Sequence, residues 1–440
     1  MNRIILAGLL VSVVVAVALD WSPITPTAGK YACATVDRAN RRVLIFGGSQ
    51  SGSAGSNDVW EIPLDTVTGY RFIRLEPTGA RPAPRWGANA VYDSANNRML
   101  IFGGEANSTR FVDVWALGLT PGSESWSEVT AGGTPPTARR GAYVIYHDTR
   151  QSLIVFGGID SRGQFVNDVW TLSVGCPTPE WRELSPTGTP PADRCDGACC
   201  WDATENRLVL FGGRGPETFY ADVWALGLDS TYESWTQLSP QGTSPSRRAG
   251  HSSGYSPDSR ELFVFGGYDY VGGHYFYNDA FILDLATETW TRISSGGQDP
   301  APRRNAPGWF DPFNARVGIY GGDDYDTRLG DAWFARCDYV GMSEWSPALG
   351  AGPGLLLQPV VPSVGDVRIR YALPGAAHGS LRVADVTGRL VRLLDSGLAG
   401  TGWLSWDRTD VSGRAVAVGI YYCILETDDV GLSRKLVLAE

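Results

Sequence analysis

Short apolar runs that end in a Gly-Gly pair recur six times along this chain. The first residues of the six pairs are Gly47, Gly103, Gly157, Gly212, Gly266 and Gly321, so the spacings are 56, 54, 55, 54 and 55 residues. This regularity predicts one structural unit built six times, because a unit of this size buries its apolar face only by packing on its neighbours. Residues that recur in every unit are predicted to be structural, and function is expected where the units differ.

Each repeat contains four stretches with the pattern of a short strand. In the second repeat, residues 88–92 are followed by a polar turn and by the apolar run 99–102. The third stretch begins with an Asp-Val-Trp motif at residue 113, and the fourth contains Trp126. Four strands with glycine and aromatic residues at fixed offsets are typical of a propeller blade. In such a blade, the segment before the first strand and the variable loop after Gly-Gly are expected on the same face.

The repeats resemble the kelch family in the Gly-Gly pair, the paired aromatic residues and an arginine before the first strand, over about residues 21–345. The resemblance implies an all-β fold, a six-bladed kelch β-propeller. Two segments could supply the outer strand of the last blade. Residues 21–25 are predicted to do so, because the mature chain would begin at this point, and the segment around Trp345 is the alternative.

Composition and charge agree with this fold and restrict the partners. The chain of 440 residues is 43% hydrophobic and has 54 glycines and 27 prolines, which suits many short strands joined by turns. A net charge of −10 argues against a nucleic acid or an anionic membrane as partner, since both need a basic surface. Seven cysteines permit disulfides outside the cytoplasm, but the sequence leaves their connectivity open.

The N-terminus is predicted to be a secretory signal peptide over residues 1–18. Arg3 precedes an apolar run over residues 4–17, and Ala16 and Ala18 form a small-x-small cleavage site. The run is short for a membrane span, and no later stretch of the sequence is long and apolar enough for one. The mature protein is therefore expected to be secreted or at the cell surface.

The C-terminal residues have a different pattern. The propeller is assigned to residues 19–347, a linker to 348–360 and a small β-sandwich to 361–440, where residues 367–371 and 381–386 alternate like half-buried strands. Five motifs resemble the Ig-like domain shared by flagellar hook-capping proteins and type IX secretion sorting domains. They are Tyr371-Ala372-Leu373-Pro374, Asp385-Val386-Thr387-Gly388-Arg389, Trp406-Asp407, Gly419-Ile420-Tyr421 and Arg434-Lys435-Leu436-Val437. The resemblance implies a sorting or anchoring module that the export machinery would bind.

The variable loops of the fifth and sixth repeats supply the first candidate site. Tyrosine rings for stacking beside carboxylates for hydroxyl groups are typical of a glycan or protein contact surface. The candidates are Tyr268, Asp269, Tyr270, Tyr275, Tyr277, Asp323, Asp324 and Tyr325. Two alternatives stay open: the rings pack on the blade edge, or Asp323, Asp324 and Asp326 hold a calcium ion.

An arginine before the first strand supplies the second candidate. The five arginines are Arg85, Arg139, Arg194, Arg247 and Arg303. Their recurrence favours a structural role, with guanidinium groups bonding loop carbonyls and carboxylates. The alternative is a ring of cations that holds an acidic sugar at a channel mouth. The aspartates of the Asp-Val-Trp motifs are interpreted as structural on the same ground.

The sequence contains few residues in the patterns that a catalytic site would need. The chain has four histidines, His147, His251, His274 and His378, and none forms the pair that copper kelch oxidases use. His251 stands at a kelch consensus position and is interpreted as structural. The predicted function is therefore non-catalytic binding of a glycan or protein ligand, with no cofactor and no metal expected. The alternative is a sugar-directed kelch enzyme, similar to sialate epimerases or, with less support, to copper oxidases.

Overall fold

The computed structural model describes most of the chain and shows an all-β protein. The described residues are 30–49, 54–64, 71–229, 232–270, 273–293, 299–313, 316–336, 345–346, 354–357, 360–361, 367–373, 378–399, 401–427 and 431–438. The predicted signal peptide and the predicted closing strand at residues 21–25 lie outside them. Within this part of the chain the secondary structure is strand and turn, with no helix that could cross a membrane.

The described part of the repeat region forms six antiparallel sheets of four main strands. Sheet 1 is Cys33–Asp37, Arg42–Phe46, Val59–Pro63 and Ile73–Leu75, and sheet 2 is Asn89–Asp93, Arg98–Phe102, Val114–Gly118 and Ser125–Glu128. Sheet 3 is Tyr143–His147, Ser152–Asp160, Phe165–Ser173 and Glu180–Leu184, and sheet 4 is Ala198–Asp202, Arg207–Phe211, Val223–Leu228 and Glu233–Leu238. Sheet 5 is Ser252–Ser256, Glu261–Phe265, Ala280–Asp284 and Thr289–Ile293, and sheet 6 is Gly308–Asp311, Arg316–Tyr320, Ala332–Arg336 and Trp345–Ser346.

Short strands extend some of these sheets or lie in the loops between them. Thr78–Gly79, Gly132–Gly133 and Gln241–Gly242 add in parallel to the fourth strands of sheets 2, 3 and 5, and Arg139–Arg140 pairs with the second strand of sheet 3. Two variable loops form hairpins of their own. They are Glu105–Ala106 with Thr109–Arg110, and Tyr268–Tyr270 with His274–Phe276.

The six sheets are arranged in a closed ring. The first strand of each sheet contacts the first strand of the next, and that of sheet 6 contacts that of sheet 1. An apolar cluster fills the space between each pair of neighbouring sheets, including the sixth and the first. In sheet 2, Met99 and Ile101 pack toward sheet 1 while Leu100 and Phe102 pack toward sheet 3. The second strands are apolar without alternation because both of their faces are buried.

The outer strand of sheet 6 is Trp345–Ser346. It pairs with Ala332–Arg336 in the register Ala335↔Trp345, which matches the pairing of Leu226 with Trp235 in sheet 4. The edge that was predicted for residues 21–25 is therefore used by the alternative segment. The likeness between the two tryptophan segments made them equivalent candidates in the sequence, and strand pairing distinguishes them.

The C-terminal region contains two further sheets around its own core. One consists of Gly354–Leu357, Val367–Ala372 and Thr401–Trp406, and the other of Val360–Val361, Gly431–Leu438, Gly419–Thr427, His378–Asp385 and Leu390–Ala399. Trp406 and Leu381 are among the buried core residues. The predicted linker is corrected here, because Gly354–Leu357 pairs with Val367–Ala372 as a strand. Glycine and proline in this segment favoured a linker, although it also contains three consecutive leucines.

A buried arginine joins each of sheets 2 to 6 to the sheet before it. In sheet 2, Arg85 donates hydrogen bonds to both carboxylate oxygens of Asp113, at 2.6 and 2.8 Å, and to the carbonyl of Gly103. Its own carbonyl accepts a hydrogen bond from Gly48 of sheet 1. We call these residues the leading arginines. Their carboxylate pairs are Arg85–Asp113, Arg139–Asp168, Arg194–Asp222, Arg248–Asp279 and Arg303–Asp331.

The contact between a leading arginine and the sheet before it requires glycine in the Gly-Gly pair. Gly47 has a φ of 72°, and a Cβ atom there would lie 2.7 Å from the carbonyl oxygen of Arg85. Glycine accepts a positive φ without the steric cost that other residues carry, and it leaves room for the approaching backbone. In sheets 1 to 5 the recurrent Gly-Gly pair therefore marks where one sheet receives the next.

The leading arginine of sheet 5 is Arg248, which corrects the assignment of Arg247. Arg248 is fully buried and bonds Asp279, whereas the side chain of Arg247 is 47% exposed and pairs with Asp269 at 2.9 Å. The two adjacent arginines fit the sequence motif equally well, and only the position of the strand separates them. All five leading arginines are buried, so their guanidinium groups serve the fold and are not a cationic surface.

Six backbone hydrogen bonds form a second closed ring at the centre of the Gly-Gly face. Each member donates its N–H to the carbonyl of the member in the preceding sheet, at 2.7 to 3.1 Å, and the first member donates to the last. Every member has a positive φ between 57° and 64°. The six members are Tyr31, Gly87, Gly141, Asp196, Gly250 and Asn305. We call this the peptide ring.

A central cavity of about 580 Å³ lies on the other side of the peptide ring. Its lining begins at the residues that directly follow the ring, such as Ala32 and His251, and includes none of the ring members. At the opposite face it reaches the turns between first and second strands, where Arg38 and Asp148 line it. The cavity is therefore a well that ends at the peptide ring.

We predict that Arg248→Ala and Arg247→Ala differ sharply in stability. Arg248→Ala removes one partner of a buried ion pair and is expected to lower the free energy of unfolding by about 3 kcal/mol or more. Arg247→Ala removes an exposed partner and is expected to cost about 1 kcal/mol or less. Urea unfolding of the full chain checks both, and equal losses would contradict the assignment of Arg248.

The low pKa values of two buried histidines predict that the protein loses stability in mild acid. Burial, with Arg150 nearby, lowers the pKa of His147 to about 4, and burial, with Arg248 nearby, lowers the pKa of His251 to about 3. Unfolded histidine has a pKa of about 6.5, so below that pH the unfolded chain binds protons that the folded chain excludes. This contribution to stability is therefore complete above about pH 6.5 and falls as the pH decreases toward about 4.

The measurement is urea unfolding at about pH 7 and about pH 5. His251→Ala is expected to reduce the difference in unfolding free energy between these conditions by about 2 kcal/mol, the contribution of one such histidine. Alanine is the residue that four other repeats carry at this position, which makes the variant a mild change. An unchanged pH dependence would show that the protonation of His251 is not linked to folding.

Candidate functional site

The Gly-Gly face carries the candidate site. The segment before each first strand pairs with the residues after Gly-Gly, as in the bridges Lys30↔Ser49, Trp86↔Glu105 and Arg304↔Asp323. The expectation that these two segments share a face is therefore confirmed. Because the leading arginines are buried, the side chains available around the peptide ring come from the residues that follow them.

Three arginines surround the peptide ring. Arg140 and Arg304 directly follow leading arginines, and Arg214 comes from the loop after the Gly-Gly pair of sheet 4. Arg140 donates from Nε to Glu105 at 2.9 Å, and Arg304 donates from Nε to Asp323 at 3.0 Å. We call Arg140, Arg214 and Arg304, with the ring below them, the arginine pit.

Asp196 connects two arginines of the pit, Arg140 and Arg214. Its Oδ2 lies 3.8 Å from Nη1 of Arg140 and 3.6 Å from Nε of Arg214. A Cβ atom on Gly141 would lie 2.3 Å from Oδ1 of Asp196, so a larger residue at that ring position would displace the carboxylate. The position of the carboxylate therefore depends on a glycine in the neighbouring sheet.

Aromatic rings hold the three guanidinium groups. Arg140 lies 4.8 Å from the ring centre of Trp86, Arg304 lies 4.8 Å from that of Tyr268, and Arg214 lies 5.2 Å from that of Phe165. Such cation–π contacts restrict the guanidinium group while leaving its N–H groups available. The pit is thus a well-ordered set of cations.

The protonation state of the pit is fixed near neutral pH. Burial raises the pKa of Tyr268 to about 12, and burial together with the charge of Asp196 raises the pKa of Tyr31 further. Burial alone would lower the pKa of Arg140, Arg214 and Arg304, but neighbouring acidic groups raise it. The pit therefore combines arginines, their carboxylate partners Glu105, Asp196 and Asp323, and neutral phenols, which suits binding by charge and hydrogen bonds.

An exposed aromatic group stands beside the pit. Tyr270, Tyr275 and Tyr325 are each about 60% exposed, and His274 stacks on Tyr325 at 4.7 Å between ring centres. The edge of Tyr270 contacts His274 at 5.1 Å between ring centres. We call Tyr270, His274, Tyr275 and Tyr325 the aromatic platform. Arg304 lies 5.7 Å from the ring centre of Tyr325, so the platform adjoins the pit.

The structure brings the predicted loop residues together but buries several of them. Tyr268, Asp269 and Asp323 are almost fully buried. Asp269 accepts from Arg247, and Asp324 accepts from the backbone N–H of Thr327. The calcium hypothesis is not supported, because the described residues contain no group of three or more His, Cys, Asp or Glu side chains placed to hold a metal. Of the predicted loop residues, three are strongly exposed, namely Tyr270, Tyr275 and Tyr325.

Arg140 and Arg304 of the pit were not predicted from the sequence. The useful signal was the residue after each leading position, which differs among repeats: Lys30, Trp86, Arg140, Cys195, Ala249 and Arg304. The recurrent position holds the buried arginine, and its variable neighbour is partly exposed at Lys30, Trp86, Arg140 and Arg304 but buried at Cys195 and Ala249. Repetition alone could not show which of the two adjacent positions faces solvent.

Repeated four-stranded sheets, Gly-Gly pairs and a closed ring define a kelch β-propeller. The repeat region matches the KLHDC2/KLHL20/DRC7 Kelch-repeats domain over residues 31–253 and 226–348. The chain belongs to this kelch-repeat family.

Similar proteins share the repeats in varied contexts. Acyl-CoA-binding domain-containing protein 5 of Arabidopsis thaliana is 29% identical over 206 residues, which cover 47% of this chain and 29% of that protein. The flagellar outer-arm dynein alpha chain of Chlamydomonas reinhardtii is 27% identical over 295 residues, which cover 64% of this chain and 6% of that protein. The chain thus spans less than a third of either relative.

A solved structure shows the same fold. The structure of YjhT has a TM-score of 0.57 at 16% identity, and the match covers 74% of this chain and 98% of that one. At this identity the likeness concerns the fold alone.

Proposed function

We propose that this chain is a six-bladed kelch propeller that acts by binding a protein partner on its Gly-Gly face. The observation that carries the proposal is the aromatic platform beside the arginine pit. Exposed tyrosines supply large contact area at a low cost in conformational entropy, and they are enriched in protein recognition surfaces. A protein-binding role agrees with membership of the kelch-repeat family.

The pit adds a charge preference to this surface. Its three arginines are held by aromatic rings and pair with Glu105, Asp196 and Asp323. Their remaining N–H groups could donate charge-assisted hydrogen bonds to a partner with an acidic group. The chain as a whole is acidic, with a net charge of −10. An acidic partner would therefore be attracted to this pit and repelled elsewhere, which would orient it on the face.

A glycan is the second candidate ligand. The same platform offers flat rings for stacking, and the same arginines could bond the carboxylate of an acidic sugar. The fixed protonation states favour binding over acid–base catalysis, although the fold hosts both kinds of function. The two ligand classes can be separated by direct screening.

The test screens a phage-displayed random peptide library and a glycan array with the full chain. We expect selected peptides to be acidic and to bind about tenfold more weakly to Tyr270→Ala/Tyr275→Ala and to Arg304→Gln, because each change removes contacts worth at least 1.4 kcal/mol. Tyr232→Ala is the matched control, since Tyr232 is 59% exposed outside the platform. Ligands that bind the variants and the wild type equally well would place the binding surface elsewhere.

We also infer that the protein is exported, with the Ig-like C-terminal region as a sorting or anchoring module. The basic and apolar N-terminus and the alternating C-terminal strands support this. Expression in a host with a general secretion pathway, followed by intact mass measurement, is expected to give a mature chain that begins at Leu19. An uncleaved chain retained in the cytoplasm would argue against export, and loss of residues after 360 would identify a cleaved sorting domain.

A further inference from the structure

The terminal nitrogens of the three pit arginines have no hydrogen-bond partner in the described part of the chain. Arg140 and Arg304 each donate one side-chain hydrogen bond, through Nε, and the side chain of Arg214 donates none. The leading arginines differ, because Arg85 donates through Nε and through both terminal nitrogens. None of the six terminal nitrogens in the pit is fully buried, so a ligand can reach them.

Two phenol hydroxyl groups in the pit are also unused. Within the described residues, the hydroxyl groups of Tyr31 and Tyr268 have no hydrogen-bond partner, and neither oxygen is fully buried. Burial and the charge of Asp196 raise the pKa of both phenols, and the charge of Arg304 acts in the opposite direction. Both hydroxyl groups therefore lie near the charged groups of the pit, where they can donate to an anion.

The ion pairs around the peptide ring leave an excess of positive charge. In the described structure, five cationic side chains share three carboxylates in these pairs, which leaves an excess of two positive charges. This excess is local, since the chain as a whole has a net charge of −10. The pairs are Arg110 and Arg140 with Glu105, Arg140 and Arg214 with Asp196, and Lys30 and Arg304 with Asp323.

The number of donors and the charge indicate the kind of anion that fits the pit. An ionised carboxylate has two oxygens, about four acceptor sites and one negative charge. A phosphate monoester has three terminal oxygens and a charge of about −1.5 to −2 at neutral pH. Six terminal nitrogens and two hydroxyl groups are more donors than one carboxylate accepts, and an excess of two charges matches a dianion. The pit therefore suits a phosphate monoester better than a single carboxylate.

We propose that the arginine pit is a binding site for a phosphate monoester, which the protein partner of the Gly-Gly face carries as a phosphorylated side chain. The phosphate oxygens accept hydrogen bonds from Arg140, Arg214 and Arg304 and from the hydroxyl groups of Tyr31 and Tyr268. This role rests on the proposed function, because the aromatic platform would contact the residues next to the phosphorylated one. The guanidinium group of Arg304 also contacts the platform, so both sites are within reach of one short peptide.

The test measures binding to the full chain by isothermal titration calorimetry. The phosphate probes are N-acetyl-phosphotyrosine amide, glucose 6-phosphate and inorganic phosphate, and the carboxylate probe is N-acetyl-glutamate amide. We expect the phosphotyrosine probe to bind about tenfold more tightly than the glutamate probe, a difference of about 1.4 kcal/mol, because it brings a third oxygen and a second negative charge. It is also expected to bind more tightly than glucose 6-phosphate, since its aromatic ring can stack on the platform.

Two variants test whether the phosphate binds in the pit. Arg214→Gln removes a guanidinium group that donates no hydrogen bond in the described structure, and Tyr31→Phe removes only a hydroxyl group, so both variants are expected to fold. Binding of the phosphotyrosine probe is expected to weaken about tenfold in the first and about threefold in the second, because a charged and a neutral hydrogen bond are lost. Arg182→Gln is the matched control, since Arg182 is exposed on the outer strand of sheet 3, and it is expected to leave binding unchanged.

The results that would overturn the phosphate site differ from those that would overturn the proposed function. Equal affinity for the phosphotyrosine and glutamate probes would exclude a preference for phosphate, and undiminished binding in both pit variants would exclude the pit. Glucose 6-phosphate that binds as tightly as the phosphotyrosine probe would identify a small phosphate ester as the ligand in place of a phosphorylated protein. If acidic peptides from the phage library bind while every phosphate probe fails, the phosphate site is excluded and the proposed function stands.

Discussion

The leading arginine of each of sheets 2 to 6 holds two neighbouring sheets at once. In sheet 2, the guanidinium group of Arg85 bonds the aspartate and a glycine carbonyl of its own sheet, while its backbone carbonyl accepts from the Gly-Gly pair of the sheet before. A bidentate pair fixes the direction of the side chain as well as its position. Each time the leading-arginine contact recurs, the next sheet packs on the one before it in the same orientation. Repeating this contact closes the sheets into a ring.

Residues that recur in every repeat build the frame of the propeller. The candidate site consists of residues that differ between repeats. The recurrent arginines that suggest a cationic ring in the sequence are buried, and the cations of the pit are variable residues near them. The same division separates the tryptophans of the Asp-Val-Trp motifs, such as the buried Trp115, from the exposed tyrosines of the fifth and sixth repeats. Variation is tolerated at these surface positions because the frame does not depend on them.

The peptide ring makes the two ends of the propeller unlike. On the Gly-Gly face, six peptide groups satisfy one another and form the floor of the arginine pit. On the turn face, the cavity stays open and is lined by aromatic side chains. Positive φ at each ring member makes this closure possible, and Tyr31, Asp196 and Asn305 adopt it without glycine. One ring of hydrogen bonds thus separates a charged surface from a well whose charged lining residues, Arg38 and Asp148, lie at its open end.

Residue spacing and apolar runs were enough to establish the six-fold repeat, the four strands of each unit and the face on which the variable loops lie, because these patterns report local strand formation directly. They could not distinguish Arg247 from Arg248, or the segment at Trp21 from that at Trp345, because the members of each pair satisfy the same local pattern. Burial and strand pairing in the folded chain settle both choices. The peptide ring and the grouping of the pit arginines were also beyond local pattern, since they arise where six segments far apart in the chain meet at one axis.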